Sequence, residues 1–321
     1  MSVVDFSGGA VFLDAATVDC GDVDFTRLHE VAKPLHIYPQ TSARELAERH
    51  PHAWCVITNK VKLERDFFQT RPNLRLVCIT ATGVNNVDLQ AAADHGVTVA
   101  NCKGYSTETV AQHAFMLLLA LVRSLPQYQH AIAQGEWSRS PMFCVLDYPL
   151  RELQGMKLGI VGYGDIGQRV AEIARFFGME ILIAERPESA PRPGRLPFTE
   201  VLTRSDILTL HCPLTADNAK LINAKTLALM QQGAFLINTS RGGLIDEQAL
   251  IEALCDKKLG GAALDVLSTE PPPEDHPLLQ AKLPNLILTP HCAWASAEAR
   301  QRVIDQTAEN IVRSIKGLKQ R

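Results

Sequence analysis

The sequence predicts an α/β protein with two domains, each built on a parallel sheet that is covered by helices. The chain has 321 residues, which exceeds one ordinary hydrophobic core and suits two α/β domains. Short aliphatic runs alternate with helical patterns along the chain, and this alternation is typical of parallel strands joined by helices. Apolar residues form 46% of the sequence and the net charge is −3, so a globular fold is expected.

The first half of the chain contains five aliphatic runs that each predict a strand: 11–13, 35–38, 54–57, 76–79 and 97–100. Helical patterns such as 42–50 and 87–95 separate these runs. Residues 107–123 then form a long helix that is apolar on nearly every face. Such a helix is expected to be buried all round, either between domains or in a subunit interface. The segment 135–149 that follows is expected to be irregular.

A glycine-rich turn opens the second half. An aliphatic run from Lys157 leads directly into Gly162, Gly164 and Gly167, and a helical pattern begins near Asp165. In this pattern the glycines provide a tight turn, a close approach of the backbone to a pyrophosphate, and close packing of helix on strand. The open N–H groups at the start of the helix attract phosphates. We therefore predict a dinucleotide site.

The strands that follow complete the fold of this half. One run, 181–184, ends on Glu185, and further runs occupy 207–212, 234–239, 262–266 and 286–289. Six strands in α/β alternation indicate a doubly wound Rossmann domain. Residues 186–197, which hold four prolines, are expected to form a loop beside the adenosine site. The last helix, 296–316, is expected to pack on the first domain.

Three residues that follow strands of this second domain could carry chemistry: Arg241, Glu270 and His291. Ligands of α/β sheets lie at the carboxyl ends of the strands. The arginine fork can bind a carboxylate, and the histidine can protonate a carbonyl oxygen while a hydride reaches its carbon. A carboxylate orients such an imidazole and favours its charged form. Taken singly, each residue has an ordinary alternative: a solvated arginine in a turn, a surface glutamate before a proline run, or a histidine on a loop.

These residues and their surroundings resemble the D-isomer-specific 2-hydroxyacid dehydrogenases. The resemblance runs from 81–88 to the C-terminal helix and includes the glycine-rich turn and the segments around Arg241, Glu270 and His291. Segments 105–113 and 291–295 are most similar to the branch that interconverts hydroxypyruvate and D-glycerate. The resemblance implies a flavodoxin-like substrate domain, 1–103 with 294–321, and an NAD-binding Rossmann domain, 104–293.

The resemblance also implies roles for individual residues. Arg241 and His291, together with the backbone of Thr82, Gly83 and Val84, would bind the substrate. Glu270 would orient His291 and favour its charged form. The helix 107–123 would lie in a homodimer interface. Cofactor contacts would come from the residues of the glycine-rich turn and of the strand ends: Gly162, Gly164, Asp165, Ile166, Gly167, Glu185, Cys212, Thr239, Ser240, Arg241, Asp265 and His291.

The choice between NAD and NADP depends on Glu185. A carboxylate at this strand end binds the ribose 2′-OH and repels a 2′-phosphate, which favours NAD. Arg186, Arg192 and Arg195 follow closely and could instead accept that phosphate. The substrate also stays open from the residues alone, since glyoxylate, formate and phosphite enzymes share the family. A non-catalytic NAD-sensing protein is the alternative of a different class.

Composition gives further expectations about partners and location. Basic residues are dispersed rather than clustered, so no nucleic-acid partner is expected. The longest apolar run, 114–122, is too short to cross a bilayer, and the N-terminus lacks a signal-peptide pattern. None of the eight cysteines forms a Cys-x-x-Cys pair. We expect them to be small buried side chains in a cytoplasmic, reducing environment, with no metal bound.

Overall fold

The computed structural model describes residues 7–319, and the chain divides into two compact units. Unit 1 comprises Met1–Ser106 and Ala295–Arg321, and unit 2 comprises Thr107–Trp294. The boundaries expected from the sequence were 103/104 and 293/294. Each unit has its own sheet.

Unit 1 contains a five-stranded sheet in which every neighbouring pair of strands is parallel. The strand order is β2-β1-β3-β4-β5, which is the flavodoxin-like order. The flavodoxin-like prediction is therefore confirmed. The strands are β1 (Ala10–Phe12), β2 (Leu35–Ile37), β3 (Cys55–Thr58), β4 (Leu76–Ile79) and β5 (Thr98–Asn101).

Short helices connect these strands: α1 (Thr26–Val31), α2 (Ala43–Leu46), α3 (Arg65–Gln69) and α4 (Leu89–Asp94). The helix predicted over 42–50 is shorter than expected. A capping box of Ser42 and Glu45 fixes its start, and the helix ends at Leu46. The C-terminal helix α13 (Ala297–Lys319) packs on α1, β4 and β5, as predicted.

Unit 2 contains a six-stranded parallel sheet with the order β11-β10-β9-β8-β6-β7. Beyond β7 a single parallel bridge joins Ala184 to Leu196. The predicted doubly wound fold is confirmed, since the strand order reverses beside β6. The strands are β6 (Lys157–Val161), β7 (Glu180–Ala184), β8 (Ile207–Leu210), β9 (Ala234–Asn238), β10 (Leu259–Leu264) and β11 (Leu286–Leu288).

Helices cover both faces of this second sheet. The alternation of side chains along a strand explains the two layers, since Phe235 and Ile237 of β9 join one buried cluster and Leu236 joins the other. The helices are α5 (Thr107–Val122), α6 (Leu125–Ala133), α7 (Glu136–Arg139), α8 (Asp165–Phe176), α9 (Phe198–Arg204), α10 (Ala224–Leu229), α11 (Glu247–Cys255) and α12 (Pro277–Gln280).

The long apolar helix α5 is buried on most, but not all, of its surface in the single chain. It packs against α8, β9 and β10 inside unit 2, and most of its side chains are buried there. One stripe along the helix is exposed and includes Glu108, Gln112 and Met116, whose residue surface is 46% exposed. The sheet and α8 therefore cover only part of the helix surface, and the expected burial of the remaining stripe in a subunit interface stays a prediction.

Two further expectations need correction. The segment 135–149 is not wholly irregular, since it includes the short helix α7. Cys55, Cys78 and Cys102 are buried as expected, but three other cysteines are exposed: Cys20, Cys255 and Cys292. Their positions explain the difference, because Cys20 and Cys292 lie in connecting segments and Cys255 in the last turn of α11.

Within residues 7–319 no single helix has both the length and the apolar character needed to cross a bilayer. The pair α5 and α6, bent by 61°, meets those criteria of length and composition only when it is taken together.

Candidate active site

The carboxyl ends of the six strands of unit 2 lie at one level. Their last residues are register partners in succession across the sheet: Ala184, Val161, Leu210, Asn238, Leu264 and Leu288. Because the strands are parallel, the residues that follow each of these positions emerge at the same edge. Most of the predicted site residues therefore belong to one edge of one sheet.

The glycine-rich turn is shaped by close backbone contacts at two of its three glycines. A Cβ on Gly162 would lie 2.5 Å from the backbone of His211 and Cys212, and its φ of +96° suits glycine alone. A Cβ on Gly167 would lie 2.2 Å from the carbonyl oxygen of Gly162. These contacts confirm the roles in the tight turn and in helix-on-strand packing that the sequence predicts.

The third glycine, Gly164, is different because a Cβ there would meet no atom within 4 Å. It is the N-cap residue of α8, with an extended backbone and no side-chain cap. The first N–H groups of the helix have no carbonyl partner within it, and helix termini of this kind bind phosphates. The open space and the helix start at Asp165 together fit a dinucleotide pyrophosphate.

Glu185, at the end of β7, is already paired with an arginine. Its carboxylate accepts two hydrogen bonds from the Arg192 guanidinium, at 2.6 and 2.7 Å, and one from the Arg186 N–H at 2.9 Å. Arg195 lies 3.7 Å away. The hydrogen bonds from Arg192 and then from the Arg186 backbone lower the pKa of Glu185 to about 2. Glu185, the residue predicted to bind the ribose, is thus ionised, and the guanidinium of Arg192 balances its charge.

The end of β9 offers a second polar contact for a ligand. The hydroxyl oxygen of Thr239 is buried and has no hydrogen-bond partner in the structure. Ser240 beside it donates to the Cys212 carbonyl at 2.5 Å, which ties the ends of β8 and β9 together. A buried polar atom without a partner is costly. Thr239 therefore fits a residue that meets a ligand, as predicted from the sequence.

Arg241 lies in the tight turn after β9. Its Nη1 donates to the Ser240 carbonyl at 2.7 Å, and its own carbonyl accepts from Asn238 at 2.9 Å. The next residue, Gly242, lies so close to the backbone of Leu267 that a Cβ would approach it to 1.9 Å. The turn that carries Arg241 therefore packs directly on the segment that leads to Glu270.

Glu270 and His291 form a hydrogen-bonded pair. The His291 Nδ1 lies 2.5 Å from Oε2 of Glu270, while Oε1 accepts the Leu267 N–H at 2.9 Å. Since Nδ1 is engaged by the carboxylate, Nε2 is the nitrogen that can reach a substrate. The side chains are 30% and 34% exposed, so the pair is accessible to a small molecule.

Asp265 follows β10 and supports the turn that carries His291. Its carboxylate is 1% exposed as a residue and accepts N–H groups of Cys292 at 3.0 Å and Ala293 at 2.9 Å. The Thr289 hydroxyl donates to it at 2.6 Å. Both carboxylate oxygens are therefore used inside the protein, and the cofactor contact expected of Asp265 stays a prediction.

His113, Asp265 and Cys292 bring potential metal-ligand atoms within 4.8 Å of one another. The His113 Nε2 already lies 3.0 Å from the Thr289 hydroxyl, which in turn bonds Asp265. Burial lowers the pKa of His113, and Asp265 opposes this shift. We interpret the group as a hydrogen-bond network rather than a metal centre.

The loop 82–84 belongs to unit 1 and follows β4. The Thr82 carbonyl accepts a hydrogen bond from Asn101 of β5 at 2.6 Å, which holds the loop at the carboxyl edge of that sheet. Its predicted role, to bind a substrate carboxylate through the backbone of Thr82, Gly83 and Val84, stays a prediction.

Sequence reasoning assigned no role to His113 or Thr289. One signal was present, because His113 is a polar residue within an otherwise apolar stretch of helix, and buried polar groups are more informative than buried apolar ones. The pairing of Arg192 with Glu185 had no comparable signal, since it depends on the path of a loop that contains prolines.

This edge of the sheet, suited to a dinucleotide in one part and to proton transfer in another, defines a dinucleotide-dependent dehydrogenase. Residues 115–293 match the family model described as the NAD-binding domain of D-isomer-specific 2-hydroxyacid dehydrogenases. The chain belongs to this family. It is therefore an NAD-dependent enzyme that interconverts 2-oxo acids and 2-hydroxy acids, as the sequence predicts.

Individual relatives are similar over nearly the whole chain. A protein named putative 2-hydroxyacid dehydrogenase from Haemophilus influenzae is 46% identical over 88% of this chain and 91% of its own length. Glycerate dehydrogenase from Methylorubrum extorquens is 40% identical over 96% of each chain. The structure of D-lactate dehydrogenase from Aquifex aeolicus with NAD and lactic acid superposes with a TM-score of 0.80 at 28% identity, over 97% of this chain and 96% of that one.

The geometry predicts opposite effects for two glycine substitutions. Gly164→Ala should leave the melting temperature nearly unchanged but weaken NADH binding about tenfold or more, because the new methyl group occupies the space that fits the pyrophosphate. Gly162→Ala should instead lower the melting temperature. Thermal unfolding and fluorescence titration with NADH measure the two effects. Normal NADH affinity in Gly164→Ala would contradict the placement of the pyrophosphate.

The Glu185–Arg192 pair predicts how the enzyme discriminates between cofactors. NADH should bind more tightly than NADPH, and Glu185→Ala should narrow that difference. Arg192→Gln should widen it about tenfold, since the Glu185 charge is then unbalanced beside a 2′-phosphate. Dissociation constants from nicotinamide fluorescence test this, with Arg204→Gln as the control because that arginine pairs with Glu180 and Glu200 instead. If the ratio of the NADPH and NADH dissociation constants is the same in Arg192→Gln as in the parent, Arg192 does not influence the choice of cofactor.

Proposed function

We propose that this enzyme reduces hydroxypyruvate to D-glycerate with NADH and catalyses the reverse oxidation with NAD. The observation that carries the proposal is the Glu270–His291 pair at 2.5 Å, next to the turn that holds Arg241. The similarity to glycerate dehydrogenase at 40% identity supports this choice of substrate. Unit 2 contains the family's NAD-binding domain together with Arg241 and His291, and we assign to unit 1 the further substrate contacts of the loop 82–84.

In this proposal Arg241 binds the substrate carboxylate. A guanidinium keeps its charge at any working pH and forms two parallel hydrogen bonds to a carboxylate. Its turn is fixed by Asn238 and by the contact of Gly242 with Leu267. The position of the cation is therefore set by backbone packing, which suits the orientation of a small substrate.

His291 supplies the proton in the same proposal. A nicotinamide cofactor, when bound at this site, would supply the hydride for the carbonyl carbon of the 2-oxo acid. The developing alkoxide takes a proton from Nε2 of His291, because Nδ1 is held by Glu270. In the oxidation direction Nε2 takes the proton back. Glu270 is itself held by the Leu267 N–H, so its carboxylate can orient the imidazole.

The same pair favours an enzyme over a protein that only senses NAD. A sensing module needs the dinucleotide site but has no use for an imidazole that is aligned by a carboxylate at the same sheet edge. Assays with hydroxypyruvate, glyoxylate and pyruvate, and with formate and phosphite in the oxidation direction, separate the remaining members of the family. Turnover of formate or phosphite alone would overturn the proposed substrate.

We also propose a homodimer formed through unit 2. Support comes from large apolar side chains that stay exposed in the single chain, among them Met116 of α5 and Trp137, Phe143 and Leu146 of the segment before β6. Phe143 is 91% exposed. Exposed apolar surface of this kind marks interaction sites. Light scattering after gel filtration measures the mass of the assembly and so tests the dimer. The cytoplasmic location is a separate expectation and stays a prediction.

Arg241→Lys tests the carboxylate role. The substitution keeps the charge but removes the planar fork, and a hydrogen bond to a charged group contributes about 1.5–3 kcal/mol. We therefore expect kcat/KM to fall roughly tenfold to a hundredfold, with the NADH dissociation constant nearly unchanged. Steady-state kinetics and NADH titration measure both quantities. A lysine variant as efficient as the parent would mean that Arg241 is only a turn residue.

Glu270→Gln tests the pair with His291. Correctly placed general acids contribute about a hundred- to ten-thousand-fold, so His291→Ala should lose activity on that scale while NADH still binds. The Glu270→Gln variant keeps the shape but removes the negative charge that favours an imidazolium. The pH profile of reduction should then decline at a lower pH than in the parent. An unshifted decline would show that Glu270 does not act through His291.

A further inference from the structure

We propose that His113 of helix α5 is a positioning residue for His291, acting through Thr289 and the carboxylate of Asp265. The inference rests on the proposed role of His291 as the proton donor. None of the sequence patterns gave His113 a role, and it lies outside the Arg241, Glu270 and His291 set.

The turn that carries His291 is wrapped around Asp265. His291 has a left-handed backbone with a φ of +52°, which a residue with a side chain rarely adopts. Its N–H donates to the Asp265 carbonyl at 2.8 Å, and the next two N–H groups donate to the Asp265 carboxylate. Three consecutive residues therefore direct their N–H groups at one aspartate, which holds the unusual backbone in place.

The Asp265 carboxylate needs fixed partners of its own, because a buried charge is costly unless it is hydrogen-bonded and compensated. Among the described residues, the basic side chain within 4 Å of this carboxylate is His113, with Nε2 3.5 Å from Oδ1, and it adds a positive charge only when it is protonated. The His113 side chain is 15% exposed. No arginine or lysine of the described residues forms a salt bridge with Asp265.

Hydrogen-bond directions follow from the single proton of the Thr289 hydroxyl. That hydroxyl donates to Oδ1 of Asp265 at 2.6 Å, so it must accept at its other contact, the His113 Nε2 at 3.0 Å. The network thus assigns a proton to Nε2 of His113. His113 thus donates to Thr289, and Thr289 donates to Asp265. The N–H groups of the turn also donate to the Asp265 carboxylate, so this carboxylate links His113 to the turn.

Helix α5 holds the turn at a second point. Thr109, one helical turn before His113, donates its hydroxyl to the Ala293 carbonyl at 3.0 Å. The residues at 109 and 113 share one face of the helix because they are four apart. This face therefore contacts the His291 turn on both sides, at Thr289 and at Ala293.

The consequence concerns proton transfer rather than cofactor binding. His291 meets Glu270 at 2.5 Å only while its turn keeps this conformation. Loss of the His113 N–H leaves the Thr289 hydroxyl without its donor, and the turn can then move relative to Glu270. Catalytic steps are sensitive to displacements of about 1 Å, which can cost roughly a hundredfold in rate.

A matched pair of variants at position 113 tests the proposal in the full-length enzyme. His113→Phe keeps a ring but has no N–H donor, whereas His113→Gln keeps an N–H donor at the end of a similar reach. We expect His113→Phe to lower kcat for hydroxypyruvate reduction about 10- to 100-fold and to raise the solvent deuterium isotope effect on kcat. KM and the NADH dissociation constant should change by less than about threefold, and His113→Gln should restore most of the rate.

Three results would overturn the proposal: kcat of His113→Phe within twofold of the parent, an equal loss in the Phe and Gln variants, or a loss that accompanies weakened NADH binding. The second result would mean that ring packing matters rather than the donor. If His113→Phe does not fold, as judged by its melting temperature, Thr289→Val and Thr289→Ser provide the same comparison at the hydroxyl.

His291→Ala, measured in parallel, separates this inference from the proposed function. Full activity in His291→Ala would refute the proposed role of His291 as the proton donor. Loss of activity in His291→Ala together with normal activity in His113→Phe would refute only the positioning role of His113.

Discussion

The parallel register of the six-stranded sheet is the constraint on which the site depends. Because Val161, Leu210, Asn238, Leu264 and Leu288 are register partners in succession, segments that are far apart in sequence deliver their next residues to one edge. A shift of one residue in any pair would turn its side chains to the opposite face. The two buried clusters on the faces of the sheet resist such a shift, and so they fix the site as well as the fold.

Glycine serves two opposite purposes at this edge. At Gly162, Gly167 and Gly242 it allows backbones to approach so closely that a Cβ would overlap a neighbouring carbonyl or amide. At Gly164 the surroundings are open, and the absence of a side chain preserves space at the start of α8. The close contacts fix the backbone that surrounds the site, and the open space at Gly164 leaves room for the ligand. The glycine-rich turn 162–167 therefore combines a rigid backbone with space for a ligand.

Local patterns predicted much of this arrangement from the sequence. The predicted bounds of each strand agree with the structure to within a few residues, because aliphatic runs bounded by polar turns are local signals. Arg241, Glu270 and His291 follow strands that those signals identify. Long-range pairing was harder to predict. The Arg192 guanidinium folds back onto Glu185 across a loop of irregular path, and the exposed stripe of α5 depends on which neighbours cover the helix. Neither is encoded by the periodicity of its own segment.

Two buried carboxylates at this edge are compensated in different ways, and the difference suits their roles. Glu185 is balanced mainly by Arg192, whose side chain is 58% exposed and can exchange its partner at modest cost. Asp265 is held by backbone N–H groups and by the Thr289 hydroxyl, with His113 behind it. The backbone N–H donors cannot leave without a change in the backbone conformation. Glu185 is therefore suited to exchange a side chain for a ligand, whereas Asp265 is suited to hold a turn in one conformation through every catalytic cycle.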